Sequence, residues 1–188
     1  MKKSELRLKY KSLRQNLSSI EIEAQSLEIS NKLLKLDVWN KSFYHIFLTI
    51  AEHKEINTDY ILNILAGKDK HTVVSKSNFK TINLENFLLT DNTIIKPNHW
   101  GIPEPIDGIQ IENSKIDVVF VPLLCFDKKG HRVGYGKGFY DNFLGDCKPE
   151  TIKIGLSLFD VEDDIDDVFE ADIPLNYCVT PKKIYQFP

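Results

Sequence analysis

The chain has 188 residues, of which 42% are hydrophobic and 27% are charged, and its formal net charge is −3. These values are typical of a globular protein with a single core, and the negative charge argues against nucleic acid as the main partner. No apolar run approaches the roughly 18 residues that a membrane helix needs, so we expect no membrane partner.

The N-terminal segment and the cysteines indicate the cellular compartment. Residues 1–17 carry positive charge with no apolar run behind it, which is not typical of a signal peptide. The three cysteines, Cys125, Cys147 and Cys178, are scattered and form no C-x-x-C pair. This pattern is typical of reduced thiols rather than of a disulfide framework or a zinc site. We therefore expect a cytoplasmic protein.

The hydrophobic pattern predicts helices that alternate with strands. Leu6, Tyr10 and Leu13 recur at helical spacing. Ser18 and Glu21 fit a capping box, which predicts the start of a second helix. In chain order, the predicted elements are helices over about residues 2–17 and 18–36, a strand at 43–50, a helix at 57–67, strands at 72–75, 92–96 and 116–124, a helix at 138–144, and strands at 151–158 and 176–180.

The order and composition of these elements predict the fold class. Strands alternate with helices, and several strands lack the polar alternation of a sheet with one solvated face. We predict an α/β fold: a single-domain three-layer sandwich over residues 1–188, with a mostly parallel central sheet and helices on both faces. The N-terminal helices, about residues 2–36, are expected to pack on the α/β core.

The stretch RVGYGKGFYD, from Arg132 to Asp141, combines alternating glycines with charged and aromatic residues. Glycine has no Cβ, so backbone N–H groups can close on an anion such as phosphate, and Lys137 adds a mobile positive charge. The stretch follows the buried strand 116–124 and leads into a helix, and ligands of α/β sheets gather at the carboxyl ends of strands. The sequence therefore predicts a ligand-binding loop.

The standard phosphate motifs do not describe this loop. A Walker loop needs Ser or Thr after its lysine, but Gly138 follows Lys137, and His131 stands where the first glycine belongs. The even spacing of the glycines also fails the dinucleotide pattern G-x-G-x-x-G. A plain glycine-rich turn is the simpler alternative, although a turn needs neither Tyr135 nor Lys137.

Other classes of site fit less well. An RNA-recognition signature could begin at Lys137, but Tyr140 stands where Gly or Ala belongs. The acidic run 160–172 has Ile165 and Ala171 where a calcium-binding EF-hand needs Gly and Glu. The five histidines are dispersed and no G-x-S-x-G nucleophile motif occurs. We expect a solvated acidic loop and no covalent enzyme intermediate.

Five elements of the sequence resemble those of one enzyme family. The stretch 126–144, FDKKGHRVGYGKGFYDNFL, is similar to the family signature F-D-x-x-G-x-R-L-G-x-G-x-G-[YF]-Y-D. The other four elements are K-x-x-x-R at Lys3 and Arg7, E-[VI]-x-T at 55–58, W-x-I-P-[EQ]-P at 100–105, and the tail DIPLNYCVT at 172–180. Over almost its whole length, the chain thus resembles the 5-formyltetrahydrofolate cyclo-ligases, also called methenyltetrahydrofolate synthetases.

This resemblance implies a ligase that closes a ring at the expense of ATP. The family converts 5-formyltetrahydrofolate to 5,10-methenyltetrahydrofolate with ATP and Mg²⁺, by phosphorylation of the formyl oxygen and attack by N10. Phosphate is a better leaving group than an amide oxygen, so such an enzyme must chiefly align and neutralise phosphates. The alternatives are an ATP-using enzyme of similar fold that acts on another formyl or amide substrate, and a non-catalytic folate-binding relative. The partner is expected to be a small folate, and the protein a monomer.

The resemblance also implies roles for individual residues. Those implied to bind ATP are Lys3, Arg7, Arg132, Val133, Gly134, Tyr135, Gly136, Lys137, Gly138, Phe139 and Tyr140. Those implied to contact the folate are Ile50, Glu55, Trp100, Tyr135, Gly136, Lys137, Gly138 and Phe139. The residues expected to be catalytic are Lys137, Arg132 and Tyr140. Asp141 is the implied Mg²⁺ ligand, and Asp172 is a second candidate.

Two features refine these expectations. The family tail often has H-D-x-P-x-D, whereas here Ala171 precedes Asp172 and Asn176 replaces the later acid, which weakens the assignment of Asp172. Lys3 and Arg7 are four residues apart and share one helical face, so both can reach one cleft. Arg14, two turns further along, is expected to matter less.

Overall fold

The structure is a computed structural model that describes residues 1–188. The four α-helices are α1 (Lys3–Gln15), α2 (Ser19–Leu33), α3 (Asp59–Gly67) and α4 (Phe139–Asp146). Two single-turn 3₁₀ helices lie at Ala51–His53 and Asn113–Lys115. None of the helices combines the length and the apolar character that a bilayer crossing requires.

Seven of the eleven strands form one central sheet. The strands are β1 (Phe43–His45), β2 (His71–Asn78), β3 (Asn83–Leu88), β4 (Ile95–Pro97), β5 (Pro103–Pro105), β6 (Val118–Pro122), β7 (Cys125–Phe126), β8 (Arg132–Val133), β9 (Ile152–Leu156), β10 (Tyr177–Val179) and β11 (Ile184–Gln186). The sheet order is β11-β10-β9-β6-β1-β2-β3, and β4-β5 and β7-β8 are separate hairpins. The five inner strands are mutually parallel, and the edge strands β3 and β11 are antiparallel to their neighbours.

The side chains of β6 show how the two faces of the sheet are covered. Val118 and Phe120 point into one core and Val119 and Val121 into the other, because successive side chains of a strand lie on opposite faces. The first core also takes in buried residues of α2 and α3: Ile29, Leu33, Ile61 and Leu65. The second takes in Phe143 and Leu144 of α4. The predicted α/β class, with a mostly parallel sheet between helices, is confirmed.

Helix α1 docks beside the sheet through its own small core. Leu6 and Tyr10 are buried there against Leu124 and Val133, which flank the β7-β8 hairpin. The helix is two residues shorter at its C-terminal end than the prediction of 2–17. The capping box predicted before α2 is present, since the Glu21 N–H donates to the Ser18 hydroxyl at 3.2 Å.

Several predicted elements differ from those observed. The strand expected at 43–50 ends at His45, after which the chain leaves the sheet to form a cavity wall. The strand expected at 92–96 is β4, which pairs with β5 and lies outside the central sheet. Strands β5 and β11 and the β7-β8 hairpin were not predicted because each of these strands has only two or three residues. Strand β3 was not predicted because its sequence is polar at its start.

Candidate functional site

A cavity of about 650 Å³ opens beside the carboxyl ends of the parallel strands. His45, the last residue of β1, and Pro122, the last residue of β6, both line it. Residues 46–48, which follow β1, form part of its wall. This is the edge of an α/β sheet where ligands bind, as the position of the glycine-rich stretch predicted.

The cavity brings together the predicted site residues, with one exception. Those that line it are Lys3, Arg7, Ile50, Glu55, Trp100, Arg132, Gly134, Tyr135, Gly136, Lys137, Gly138, Phe139, Tyr140, Asp141 and Asp172. The exception is Val133, whose side chain is fully buried in the core under α1. Its carbonyl accepts a hydrogen bond from Leu124 N at 2.8 Å, so Val133 shapes the loop without facing the cavity.

The glycine loop, residues 134–138, lies directly against α1. The Arg7 Nε donates to the Gly134 carbonyl at 3.0 Å. At Gly136, φ is +90°, and an added Cβ would lie 3.0 Å from the Arg7 guanidinium carbon. Gly138 has φ +80° and precedes α4 as its N-cap. Gly136 is thus required both for its backbone conformation and for the close approach of Arg7.

One end of the cavity carries most of its positive charge, and we call Lys3, Arg7, Arg132 and Lys137 the cationic end. Lys3 forms an ion pair with Asp172. The Arg132 Nη2 donates to Asp141 Oδ1 at 2.6 Å, and its Nη1 donates to the Ile173 carbonyl. Partial burial opposes ionisation of Asp172, but the hydrogen bonds from Lys3 and Phe169 N and the charges of Lys3 and Arg132 together lower the pKa of this carboxyl.

The two predicted metal ligands are close in the structure. Asp141 Oδ1 accepts from Ile173 N at 3.2 Å, next to Asp172 in the chain. Asp172 Oδ2 accepts from Phe169 N at 2.7 Å and from Lys3. The second oxygen of each carboxylate has no hydrogen-bond partner within the protein.

These two oxygens fit Mg²⁺ only in part. No group of three or more His, Cys, Asp or Glu side chains in the chain could hold a metal by itself. Mg²⁺, however, commonly takes one or two carboxylates and completes its shell with water and substrate phosphate oxygens. The donor set therefore suits a metal that arrives together with a phosphate ligand.

The opposite end, the carboxylate end, is built around Glu55. This side chain is only 5% exposed, accepts from Ile50 N at 2.8 Å through Oε2, and accepts from the Tyr135 hydroxyl at 2.7 Å through Oε1. Burial raises the pKa of Glu55, although these hydrogen bonds and the nearby Arg14 and His53 oppose the rise. Burial, followed by the charge of Glu55, also raises the pKa of Tyr135, so its hydroxyl remains a donor.

Arg14, which we expect from the sequence to matter less than Arg7, reaches the same group from α1. It is buried, and its Nη1 donates to the Tyr135 hydroxyl at 2.8 Å. Its Nη2 donates to the Leu123 carbonyl at 2.8 Å. The spacing of Leu6, Tyr10 and Arg14 by four residues places Arg14 on the buried face of the helix, which is the signal that could have revealed it.

Three aromatic rings form the aromatic wall of the cavity: Phe79, Trp100 and Phe139. The Phe79 ring centroid lies 4.0 Å from that of Trp100 and 5.1 Å from that of Phe139. Trp100 is 56% exposed and lies at the tip of the β4-β5 hairpin. The Asn98 Oδ1 accepts a hydrogen bond from the backbone N–H of Trp100 at 2.9 Å. The Lys137 Nζ lies 5.4 Å from the Phe79 ring centroid. Phe79 was not predicted, because nothing in its local sequence marks it.

A buried histidine on the cavity floor was also missed. The His45 Nε2 lies 2.6 Å from the Ser75 hydroxyl, which donates to Asn86 Oδ1 at 2.6 Å. Its Nδ1 has no hydrogen-bond partner, and burial lowers its pKa to about 3, so the ring is neutral near pH 7. The Tyr140 ring packs edge-on against it at 5.9 Å. His45 therefore contributes polarity without charge.

The cavity is chemically asymmetric. The cationic end offers charge and backbone amides that suit the oxygens of an anion such as a phosphate chain. The carboxylate end offers a buried acceptor beside flat apolar surfaces, which suits a ring that carries N–H donors. The arrangement can thus hold two different groups next to each other.

Comparisons with known proteins identify relatives of this chain. A sequence profile described as the 5-formyltetrahydrofolate cyclo-ligase family matches residues 1–179. The chain is 28% identical over 160 residues to a Haemophilus influenzae protein named 5-formyltetrahydrofolate cyclo-ligase, covering 83% of this chain and 85% of the relative. It is 29% identical over 165 residues to a mouse protein of the same name, covering 80% of each chain.

A solved structure shares the fold. The Aquifex aeolicus 5,10-methenyltetrahydrofolate synthetase superposes with a TM-score of 0.83 at 27% sequence identity. The superposition covers 99% of this chain and 93% of that one. The similarity therefore extends over all the elements that form the cavity.

Proposed function

The chain belongs to the 5-formyltetrahydrofolate cyclo-ligase family, and on this premise we propose that it converts 5-formyltetrahydrofolate to 5,10-methenyltetrahydrofolate with ATP and Mg²⁺. The observation that carries the proposal is that one cavity holds both a glycine loop among cations and a buried carboxylate beside an aromatic wall. ADP and phosphate are the other products.

At the cationic end, we assign Lys3, Arg7 and the glycine loop to the triphosphate. The planar Arg7 guanidinium can grip two phosphate oxygens, and its Nε is already anchored to the Gly134 carbonyl. Backbone N–H groups of the loop can approach the phosphates because its glycines carry no Cβ. Lys137, which is exposed, can follow the transferred phosphate group.

Asp141 and Asp172 would hold Mg²⁺ through the carboxylate oxygens that have no partner within the protein. When bound, the metal neutralises charge on the phosphates. Lys3 and Arg132 now occupy the other oxygens of these carboxylates, which leaves the remaining oxygen of each free for a cation. Arg132 is also held by the Ile173 carbonyl, so its position does not depend on Asp141 alone.

At the carboxylate end, we assign Glu55 to the pterin ring of the folate. An ionised carboxylate can accept paired hydrogen bonds from an aminopyrimidine, and Oε1 and Oε2 are each already oriented by one donor. The aromatic wall covers the flat part of the substrate and excludes water. The formyl group would then lie between the two ends, beside Tyr140 and Lys137.

The chemistry requires alignment of two groups more than a protein nucleophile. The formyl oxygen bonds to the γ-phosphorus as ADP departs, and the N10 lone pair then attacks the formyl carbon. Loss of the N10 proton and cleavage of the C–O bond release phosphate. Lys137 and Arg132 stabilise negative charge on the moving phosphoryl group, and Tyr140 orients the formyl side of the substrate.

A coupled assay tests the proposal. The purified protein is mixed with 5-formyltetrahydrofolate, and the absorbance of methenyltetrahydrofolate and the release of ADP are followed with ATP or Mg²⁺ present or omitted. We expect both products in a one-to-one ratio, and only in the complete mixture. Product without ATP, or ATP hydrolysis without product, would contradict the assigned reaction.

A matched pair of lysine variants relates this activity to the glycine loop. Lys137→Ala should slow turnover and raise the KM for ATP, because Lys137 lies at the cavity. Lys128→Ala removes an exposed lysine that pairs with Asp163 outside the cavity and should leave both constants unchanged. Neither change should alter stability by more than about 1 kcal/mol, as expected of exposed charges. Equal behaviour of the two variants would remove the loop from the ATP site.

A further inference from the structure

Arg14 is a buried cation for which packing alone gives no reason. Its side chain is 4% exposed, and its Nε is buried without any hydrogen-bond partner. An incompletely paired buried charge costs stability, and an apolar residue on this face would dock α1 as well as Leu6 does. An arginine at this buried position therefore calls for a role in the site.

The contacts of Arg14 lead to Glu55 through a single hydroxyl. The Arg14 Nη1 donates to the Tyr135 oxygen at 2.8 Å, and the Tyr135 hydroxyl donates in turn to Glu55 Oε1 at 2.7 Å. Neither Arg14 nor Glu55 takes part in any direct ion pair of the protein. Arg14 is thus the buried positive charge that balances Glu55 across one intervening side chain.

We call the chain of hydrogen bonds from Arg14 through Tyr135 to Glu55 the relay, and both of its terminal side chains are held by the backbone. The Arg14 Nη2 is anchored on the Leu123 carbonyl at 2.8 Å, one residue after strand β6. Glu55 Oε2 accepts from Ile50 N at 2.8 Å, which closes the turn 50–55. A hydroxyl held between a cation and a carboxylate has only one favourable orientation, because it accepts from the first and donates to the second.

We propose that Arg14 is a positioning residue for folate, which acts through Tyr135 to hold Glu55 oriented and ionised. The inference rests on the assignment of Glu55 to the pterin ring in the proposed function. Arg14 itself touches neither substrate nor reacting atoms. Its effect is on folate affinity, whereas Lys3 and Arg7 on the same helix act on ATP.

The charges around Glu55 define what a loss of Arg14 does to its titration. The groups that face it are Arg14 from α1, His53 from the preceding 3₁₀ turn, and the hydroxyls of Tyr135 and Tyr140. Arg14 opposes the rise in the pKa of Glu55 that burial causes. Removal of Arg14 leaves that rise less opposed, so Glu55 is protonated at a higher pH. The acid limb of folate binding, which is the fall in folate affinity as the pH is lowered, should therefore move to higher pH.

Steady-state kinetics of Arg14→Met, Tyr135→Phe and the double variant test the relay. We expect each single variant to raise the KM for folate about tenfold, as for the loss of one hydrogen bond to a charged group. The double variant should be no worse than the more severe single variant, because both break the same chain. The Tyr135 backbone belongs to the loop assigned to ATP, but Arg14 contacts only the Tyr135 hydroxyl, so the KM for ATP should change less than about twofold in Arg14→Met.

A tyrosine on the same helix provides the matched control. Tyr10→Phe removes a hydroxyl that donates to Glu162 at 2.7 Å on the buried face of α1, one turn before Arg14 and outside the relay. A purely structural loss in α1 docking should look alike in Tyr10→Phe and Arg14→Met: lower melting temperature, unchanged folate KM and an unmoved acid limb. Such a match would overturn the proposal.

The conservative variant separates charge from geometry. Arg14→Lys keeps the positive charge but cannot reach both the Tyr135 oxygen and the Leu123 carbonyl. We expect it to return the acid limb most of the way to that of the native protein while the folate KM stays raised. If Arg14→Met does not fold, Arg14→Lys and Tyr135→Phe still test the relay by themselves. Absence of product with the native protein would instead refute the proposed function.

Discussion

The two ends of the cavity hold their charged groups in different ways. At the cationic end, Lys3 and Arg132 each form a direct ion pair, with Asp172 and Asp141. At the carboxylate end, Glu55 has no ion pair and is held by a backbone N–H and a tyrosine hydroxyl. Under the proposed function, the first end would exchange partners when an anion and a metal arrive together. The second end is already arranged for one ligand.

This difference has an energetic side. At the cationic end, Arg7 forms no ion pair and the Asp141 carboxylate is only half-buried, so variants at these two positions should cost affinity more than folding. A buried carboxylate without a cation in contact lowers the stability of the fold, so its removal should cost affinity and return stability. The following predictions separate the two ends by measuring both quantities for each variant.

Glu55→Gln should give the largest effect. The folate KM should rise about 100-fold, since hydrogen bonds to a charged acceptor contribute roughly 1.5–3 kcal/mol each. The KM for ATP should stay within a factor of about two, because the cationic end is untouched. Kinetics with each substrate varied in turn give both constants.

The same variant should be at least as stable as the native protein near pH 7. Because burial raises the pKa of Glu55, the folded state holds this proton more tightly than the unfolded state. Deprotonation of Glu55 therefore lowers the free energy of unfolding as the pH rises. The gain in the free energy of unfolding in Glu55→Gln should grow from about pH 4.3, the ordinary glutamate pKa, and level off above the raised pKa of Glu55 in the folded state. Glu52→Gln, at an exposed position of the same turn, is the control. A lower melting temperature in Glu55→Gln, with Glu52→Gln unchanged, would contradict the view that the buried carboxylate lowers the stability of the fold.

Arg7→Ala should give the next largest effect, at the other end. The KM for ATP should rise about 30-fold through the loss of charged hydrogen bonds to phosphate, with folate KM and melting temperature nearly unchanged. Arg7→Lys should restore ATP use only in part, because lysine has no planar fork. Lys9→Ala removes a cation of the same helix that pairs with Glu162 away from the loop, and it should resemble the native protein. An equal loss in Lys9→Ala would mean that only the general charge of α1 matters.

Asp141→Asn should have a smaller effect that appears in the metal dependence. We expect the Mg²⁺ concentration for half-maximal rate to rise about tenfold, because a neutral amide is a weaker ligand for a hard cation than a carboxylate. Titration of the rate with MgCl₂ at saturating ATP measures it. Asp146→Asn, at the exposed C-terminal end of α4, should leave the titration unchanged. An unchanged Mg²⁺ curve in Asp141→Asn would remove this residue from the metal site.

The smallest effect is expected at Trp100, where the aromatic wall meets solvent. Trp100→Phe keeps a flat ring, so folate KM should rise less than about threefold, within the 0.5–1.5 kcal/mol of one aromatic pair. The change in tryptophan fluorescence on folate binding should nevertheless disappear. It should persist in Trp39→Phe, because Trp39 is held away from the cavity by a bond to the Leu33 carbonyl at 3.0 Å. Survival of the signal in Trp100→Phe would place the folate elsewhere.

The parts of this picture that the sequence predicts are those with strong local patterns. Strand β6 is a continuous apolar run, and the glycine loop has a composition that no ordinary turn requires. Strand β3 was missed because NLENFL alternates weakly and is polar at its start. It matters to the site, since its Asn86 receives the hydrogen bond of Ser75 beneath His45.

The relay from Arg14 to Glu55 could not be predicted from local pattern. Arg14 and Tyr135 are 121 positions apart, and Tyr135 and Glu55 are 80 apart. Only the fold brings these three side chains together. Glu55 was predicted by resemblance and Tyr135 by its glycine neighbours, but the link between them is a tertiary contact. The places of Glu55 and Tyr135 in the cavity could therefore be predicted separately, while the contact between them could not.

Helix α1 contributes side chains to both ends of the cavity. The number of residues between these side chains therefore sets the distance between the two ends. Lys3 and Arg14 are 11 residues apart, about three turns, so they share a face and lie about 16 Å apart along the axis. Inserting one residue between Arg7 and Arg14 would turn one of them away by about 100°. Inserting a whole turn would restore the direction but shift the register by about 5.4 Å. The separation of the two ends of the cavity thus depends on the length of one helix, and under the proposed function this segment should tolerate substitutions better than insertions or deletions.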